Sequence, residues 1–406
     1  MNWNSQKLAV LALYSFLFFL PLYEAPKNLF GTLFIIISVC ILVRLKKSPS
    51  KFEKWDGSCW LFLLLSLSPF LAGLGSPYLD LSNRFWSALN WSLMPLISLC
   101  LILLNITPGQ IILALRVFCL GTILAVIQAF ASWSGEYPEL NSVGHINQSS
   151  LYLVFCLIPG AILVRRAVFV ADRVLGLAVI FIAIAYQPAA RSLVAMGALI
   201  LTIFGLWIIY CSARRRLKTL LISFPSAVIF GLSAVSLPPQ FLGPFAELKA
   251  ELDSRFNPEN DLFSNRTKLM NSALLVSKGS LTGYGLNSFG AATDSEIIEN
   301  LVEKRGMNWS SERHNFHSSS HGHNLLANIL VERGIVGVFC VVGFLLSIGF
   351  VASRFSRLVP AQMIILTLVV ICVAGLGQST LHTEHGQLAL LCLSFSLREI
   401  RELKEL

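Results

Sequence analysis

The chain has 406 residues, of which 55% are hydrophobic and 13% charged, against about 25% charged in an average soluble protein. This balance excludes an ordinary soluble domain and indicates a polytopic membrane protein. The net charge of +9 is not gathered into a basic patch on a soluble face, so a nucleic-acid-binding module is also excluded.

Apolar runs such as 30–43, 60–74, 111–130, 193–210 and 336–351 approach or reach the roughly 17–25 residues of a bilayer span. About twelve spans are expected, near 8–23, 29–44, 58–74, 85–104, 111–131, 149–164, 173–187, 192–211, 219–237, 324–353, 360–377 and 386–398. The first is read as a retained helix. Only Lys7 precedes its apolar run as a basic residue, and no A-x-A site follows near Pro21.

With the N-terminus in the cytoplasm, alternation places Arg44, Lys46, Lys47, Arg165, Arg166, Arg214, Arg354, Arg398 and Arg401 inside. Lys27, Arg84 and Arg191 fall in short outer loops. Both termini are then cytoplasmic. The expected fold is an all-α polytopic membrane protein. Helices 1–9 occupy residues 1–237, an outer loop with short helices occupies 238–322, and helices 10–12 occupy 323–406. The nine cysteines lie in or beside apolar spans and are read as small packing residues rather than a disulfide framework.

Glu24, Asp80, Glu136, Glu139 and Glu384 map to outer loops or span ends, and Asp56 and Asp172 to the inner side. No carboxylate is expected mid-span. This argues against a proton-coupled transporter and leaves open a carrier that uses backbone and polar contacts. A phosphate loop, a C-x-x-C zinc pattern and a D-x-D pair are all missing. Gly283-Tyr284-Gly285 lacks the spacing of a dinucleotide fingerprint. It is read as a tight turn at the membrane surface in which glycine supplies positive φ.

His314, His317, His321 and His323 lie within ten residues at the end of the long loop, and the chain has seven histidines in all. Two readings are open: a metal site, or one working histidine with incidental neighbours. No Cys or Asp lies close enough in sequence to complete a ligand set. His323 opens the helical stretch that begins "NLLANILVERG", with Ser318–Ser320 as expected capping hydroxyls. A helix N-terminus disfavours a protonated imidazole, which suits His323 to act as a base. Gly334 and Gly337 mark where this short helix meets the following span. His321, two residues earlier, would face another side. His382 and His385 are expected to be surface loop residues.

Arg191 follows "AYQPAA", where Pro188 is expected to break the helix near the membrane surface. A snorkelling anchor is its alternative role. Arg266 opens an apolar helical stretch ahead of the glycine turn, with a solvated loop charge as its alternative. Two outward-facing arginines and a neutral histidine suit transfer from a pyrophosphate. Arginine neutralises the leaving group through bidentate donors, the imidazole takes the proton of the incoming hydroxyl, and no metal or other cofactor is required.

These residues resemble the O-antigen ligase and polymerase superfamily. "HNLLANILVERGIVG" is similar to the ligase pattern of His, a small polar residue, nine residues, Gly, two residues and Gly, here His323, Asn324, Gly334 and Gly337. "NRTKLMNSALLVSKGSLTGYGLNSFG" resembles the family's arginine helix and glycine turn. "PAARSLVAMGALI" resembles its Ser-Arg step, with Ala190 in place of the common Ser. "VGHINQSSLYLV" resembles its Asn-containing entry at Asn147. The resemblance covers about 145–345 and extends to the first spans only by hydropathy.

The resemblance implies His323 as the base and Arg191 and Arg266 as the pyrophosphate holders, with Asn324, His321, Asn147, Gly334 and Gly337 in support. It implies metal-independent inverting glycosyl transfer at the periplasmic face of a bacterial inner membrane. The donor would be an undecaprenyl-pyrophosphate-linked glycan and the acceptor lipid A-core. A polymerase would use the same donor class with another lipid-linked repeat as acceptor. A transporter of inorganic carbon or another solute is the alternative from a different class.

Overall fold

Helices that are apolar all round must sit in lipid or in a core, and this chain is built from such helices. The computed structural model describes residues 3–45, 57–72, 74, 80–133, 138–190, 192–213, 262–319, 322–381 and 383–405. The first half contains α1 (Trp3–Phe19), α2 (Glu24–Leu45), α3 (Gly57–Leu71), α4 (Leu81–Leu103), α5 (Pro108–Ala131), α6 (Ile146–Arg166), α7 (Val170–Ala190) and α8 (Leu193–Ala213). The second half contains α9 (Leu262–Ser277), the short α10 (Phe289–Ala292), α11 (Ser295–Glu303) and α12 (Trp309–Glu312), and then α13 (Leu325–Ser353), α14 (Val359–Gly375) and α15 (Thr383–Glu405).

Among the described residues, seven helices are long and apolar enough to cross a membrane: α2, α4, α5, α6, α7, α8 and α13. Three apolar helices, α1, α3 and α14, are shorter. The expected ninth span, 219–237, lies outside the described residues, as do Arg191, His321 and His382. The helical membrane class therefore stands; among the described residues seven helices have the length and apolarity of a full span, where about twelve were expected over the whole chain. α7 continues through Pro188 to Ala190, so the expected break at Pro188 falls after Ala190 instead. A proline near a helix end removes only one ladder bond, and this one is tolerated.

α15 is the buried centre, with every residue from Glu384 to Ile400 buried. It packs on α4, α6 and α14. Burial in protein rather than lipid lets α15 carry charge at both ends. The outer helices expose large apolar side chains, including Phe181, Ile200, Phe339 and Leu346, as lipid-facing surfaces do. α6 and α7 approach at Gly160 and Gly176, where a Cβ on Gly176 would lie 2.7 Å from the Gly160 carbonyl oxygen. Small residues permit this backbone-level packing.

The polar contacts of the described helices fall at two ends of the bundle. One end gathers ion pairs: Arg165 with Glu399, and Arg166 with Glu399 and Glu402. Arg116 forms a two-pronged pair with Asp172 at 2.5 and 2.8 Å. Arg398 donates to the carbonyls of Leu104 at 2.8 Å and Ile106 at 3.1 Å, which ties the α4–α5 connection to α15. The opposite end holds the starts of α2, α4, α6, α13 and α15.

On that opposite side, α13 is broken. Gly334 has φ 63° and ψ −166°, so the helical ladder stops and restarts. The break leaves carbonyls without their usual partners. The 281–287 loop supplies them: Tyr284 N–H donates to Val331 O and Gly285 N–H to Glu332 O, both at 2.9 Å. Val336 N–H donates in turn to Leu281 O at 3.4 Å. Gly283, with φ 74°, lies against the backbone of Glu332, Arg333 and Gly334. The expected positive φ in the glycine turn is therefore present. The close backbone contact at Gly334 is made with this loop.

Two stability outcomes follow from this packing. Arg398→Met should lower stability by about 2 kcal/mol through lost charge-assisted bonds, measured as an apparent melting midpoint in detergent. Gly334→Ala should cost about 2 kcal/mol or more, because alanine resists the left-handed region. Its Cβ would also lie 2.1 Å from Leu281 O. A wild-type midpoint in the alanine variant would overturn the loop-docking account.

Candidate active site

The end of α13 that carries the break also carries the histidine. His323 is exposed and adopts φ 43°, a left-handed turn just ahead of the helix. The helix cap is Asn324, not the serines: its side-chain oxygen accepts from Leu326 N–H at 2.9 Å and Ala327 N–H at 3.1 Å. Asparagine is a strong N-cap because its short side chain reaches these orphan donors. The expectation that Ser318–Ser320 provide the cap is corrected accordingly. His323 therefore precedes the cap and projects from the turn.

Asn324 also donates through Nδ2 to Leu376 O at 3.2 Å. One turn further along α13, Asn328 Oδ1 accepts from Gly322 N–H at 2.7 Å. Its Nδ2 donates to Ser379 Oγ. The backbone on both sides of His323 is thus tied to the 376–379 turn between α14 and α15.

Arg266, half-buried on α9, reaches the same turn. A Cβ built on Gly377 would lie 3.1 Å from Arg266 Nη1 and 2.6 Å from a methyl of Val194. The guanidinium consequently sits over Gly377, beside the first turn of α8. Arg191, two residues before α8 begins, lies outside the described residues. The structure brings Arg266 and Asn324 onto adjacent residues of one turn, with His323 next to the cap.

The other candidates separate. Asn147 lies in the first turn of α6, where its N–H donates to His145 Nδ1 at 3.2 Å. His314 and His317 are exposed. Their segment runs along α9, where Ser272 Oγ donates to His317 O at 2.9 Å and Asn271 donates to Asn315 O at 3.1 Å. Among the described residues, no three His, Cys, Asp or Glu side chains converge. Gly337 leaves room for Arg333, whose Cβ would lie 2.1 Å from a Cβ there.

His385 corrects another expectation. It is 2% exposed, and its Nε2 is 2.8 Å from Ser379 O. It belongs to the buried head of α15 rather than to a surface loop, because Glu384 beside it is drawn in by Lys27 of α2.

Glu332 and Arg333 went unnoticed in the sequence. Glu332 contradicts the expectation of no carboxylate within a span. Glu332 is buried in α13, and its Oε1 accepts from Asn287 N–H at 3.0 Å. Arg333 is also buried and lies over the Trp91 ring at 3.6 Å to its centroid, a cation–π contact. Both sit in the short helical segment ahead of the Gly334 break, where loop and α4 cover them. The available signal was spacing: Asn324, Asn328 and Glu332 recur every four residues and so share one helix face.

A search of curated proteins finds no match. A family model described as O-antigen ligase matches residues 175–342. The matched segment contains α9, the glycine loop, His323, Asn324 and the Gly334 break. Members of that family are glycosyltransferase-like enzymes of O-antigen assembly. The match spans 168 of the 406 residues, and over that stretch the chain is similar to the O-antigen ligase family.

Proposed function

We propose that the chain is an O-antigen ligase, transferring an undecaprenyl-pyrophosphate-linked glycan to lipid A-core at the periplasmic face of a bacterial inner membrane. The observation that carries this reading is the shared turn at 376–379. It receives Arg266 on one residue and the cap that follows His323 on the one before. The basic ion-pair clusters at the opposite end of the bundle support a cytoplasmic placement for that end.

In the proposed reaction an acceptor hydroxyl oxygen attacks the anomeric carbon from the face opposite the pyrophosphate, so the configuration inverts. The anomeric C–O bond to pyrophosphate breaks, and its electron pair leaves on the pyrophosphate oxygen. His323 accepts the hydroxyl proton. Arg266 and Arg191 neutralise the charge that develops on the leaving group. Asn324 holds the turn that aims the imidazole. No cofactor enters the scheme. An O-antigen polymerase would use the same groups with a second lipid-linked repeat as acceptor.

Reconstituted proteoliposomes supplied with lipid-linked glycan and lipid A-core provide the test. His323→Ala should cut transfer by about 100-fold or more while the protein stays folded, the usual scale for a lost general base. Undiminished transfer would remove His323 from the role. Arg266→Ala should cost about 100-fold, and Arg266→Lys should recover only part of this, since lysine keeps charge without the bidentate fork. In cells, loss of all capped chains with accumulation of lipid-linked polymer identifies the ligase. A single capped repeat identifies the polymerase. Solute flux that survives His323→Ala would favour a transporter instead.

A further inference from the structure

A cavity of about 280 Å³ opens at the same end of the bundle, between the starts of α2 and α15, the middle of α4 and the 286–287 loop. Four carboxamides line it: Asn28, Asn90, Asn287 and Gln387. Lys27 and Glu384 form a buried ion pair in its wall, and Trp91 closes one side. The pairing cancels the lysine charge, and Glu24 at the rim adds a carboxylate. The cavity therefore does not suit a pyrophosphate or another anion.

Gln387 supplies a second, independent observation. It is 7% exposed, and its Oε1 has no hydrogen-bond partner among the described residues. A buried carbonyl oxygen left without a donor carries a desolvation cost. Gln387 also lines the cavity wall, so its carboxamide lies at the site with that oxygen's bonding capacity unused. Carboxamides offer both donors and acceptors, which is what a ring of hydroxyl groups requires. The volume approaches the about 300 Å³ lower bound of small-molecule sites and has room for one monosaccharide ring.

The cavity is coupled to the candidate active site. Asn287 is fixed by Glu332 of α13. Glu384 neighbours His385, whose ring meets Ser379 O, and Ser379 Oγ accepts from Asn328 beside the His323 turn. Trp91 Nε1 donates to Leu381 O at 3.1 Å. The 376–385 segment thus has Arg266 and the His323 turn on one part and the cavity on another.

We propose that this cavity is a saccharide subsite that takes one uncharged, hydroxyl-rich sugar ring of a glycan substrate through Asn28, Asn90, Asn287 and Gln387. The proposal rests on the glycan-transfer reading above. It adds a recognition site whose lining does not include Arg266.

The test uses full-length protein in detergent micelles and saturation-transfer NMR. The probes are two free oligosaccharides released by mild acid, the lipopolysaccharide core and the O-antigen repeat. Wild-type protein should saturate the ring protons of one of them. Asn28→Ala and Asn90→Ala at the open rim, and Gln387→Ala inside, should each weaken binding by about fivefold to tenfold, the scale of one lost hydrogen bond. In the transfer assay the same variants should raise KM for the matching substrate while kcat changes by less than about twofold, as loss of uniform binding predicts. Core binding assigns the cavity to the acceptor, and repeat binding assigns it to the donor glycan. No binding of either probe by wild type, or unchanged binding in all three variants, overturns the proposal. If sugar binds and the variants lose it while no glycan is transferred, the subsite stands and the ligase reading falls. If transfer proceeds with every variant at wild-type KM, the ligase reading stands and the subsite falls.

Discussion

A membrane helix has no water to satisfy broken backbone bonds, so any break in its ladder must be repaired by protein. α13 breaks at Gly334, and the repair comes from the 281–287 loop. Tyr284 and Gly285 donate to the freed carbonyls, and Leu281 accepts from the restarted helix. The approach is backbone to backbone, which only glycine at 283 and 334 permits. Through this junction the end of α9, the loop and the head of α13 become one piece.

The same junction accounts for the two charges buried beside it. Glu332 grips the loop through Asn287 N–H, and Arg333 turns onto Trp91 of α4. An isolated ionised group at this depth would be expensive. Here the carboxylate has a backbone donor and the guanidinium has an aromatic face. These contacts join the matched family segment to α4 and, through Trp91 and Leu381, to the buried helix α15.

The head of α15 then organises the polar end of the bundle. The 376–379 turn ahead of it takes Arg266 over Gly377 and Asn324 on Leu376. A turn is suited to this because its carbonyls are not committed to a helix ladder. Two side chains that lie 58 positions apart (266 and 324) thereby share one small piece of backbone. The cavity beside Glu384 draws on the other face of the same segment.

Composition and apolar runs were enough to establish a helical membrane protein, because crossing a bilayer leaves few alternatives to long apolar helices. Local motifs were legible for the same kind of reason. The glycines of the 283–285 turn declare unusual backbone, and His323 ahead of the run "NLLANILVERG" declares a helix start. Other features depended on neighbours distant in sequence. The capping role fell to Asn324 rather than the serines because the 376–379 turn holds that asparagine in place. His385 proved buried because Lys27 draws Glu384 inward, and Glu332 could be buried because the loop covers it. What the sequence determined by itself was the class of fold and the residue types able to act. Which of them meet was decided only by the tertiary structure, because the 376–385 segment carries no motif and acquires its role from the helices that close around it.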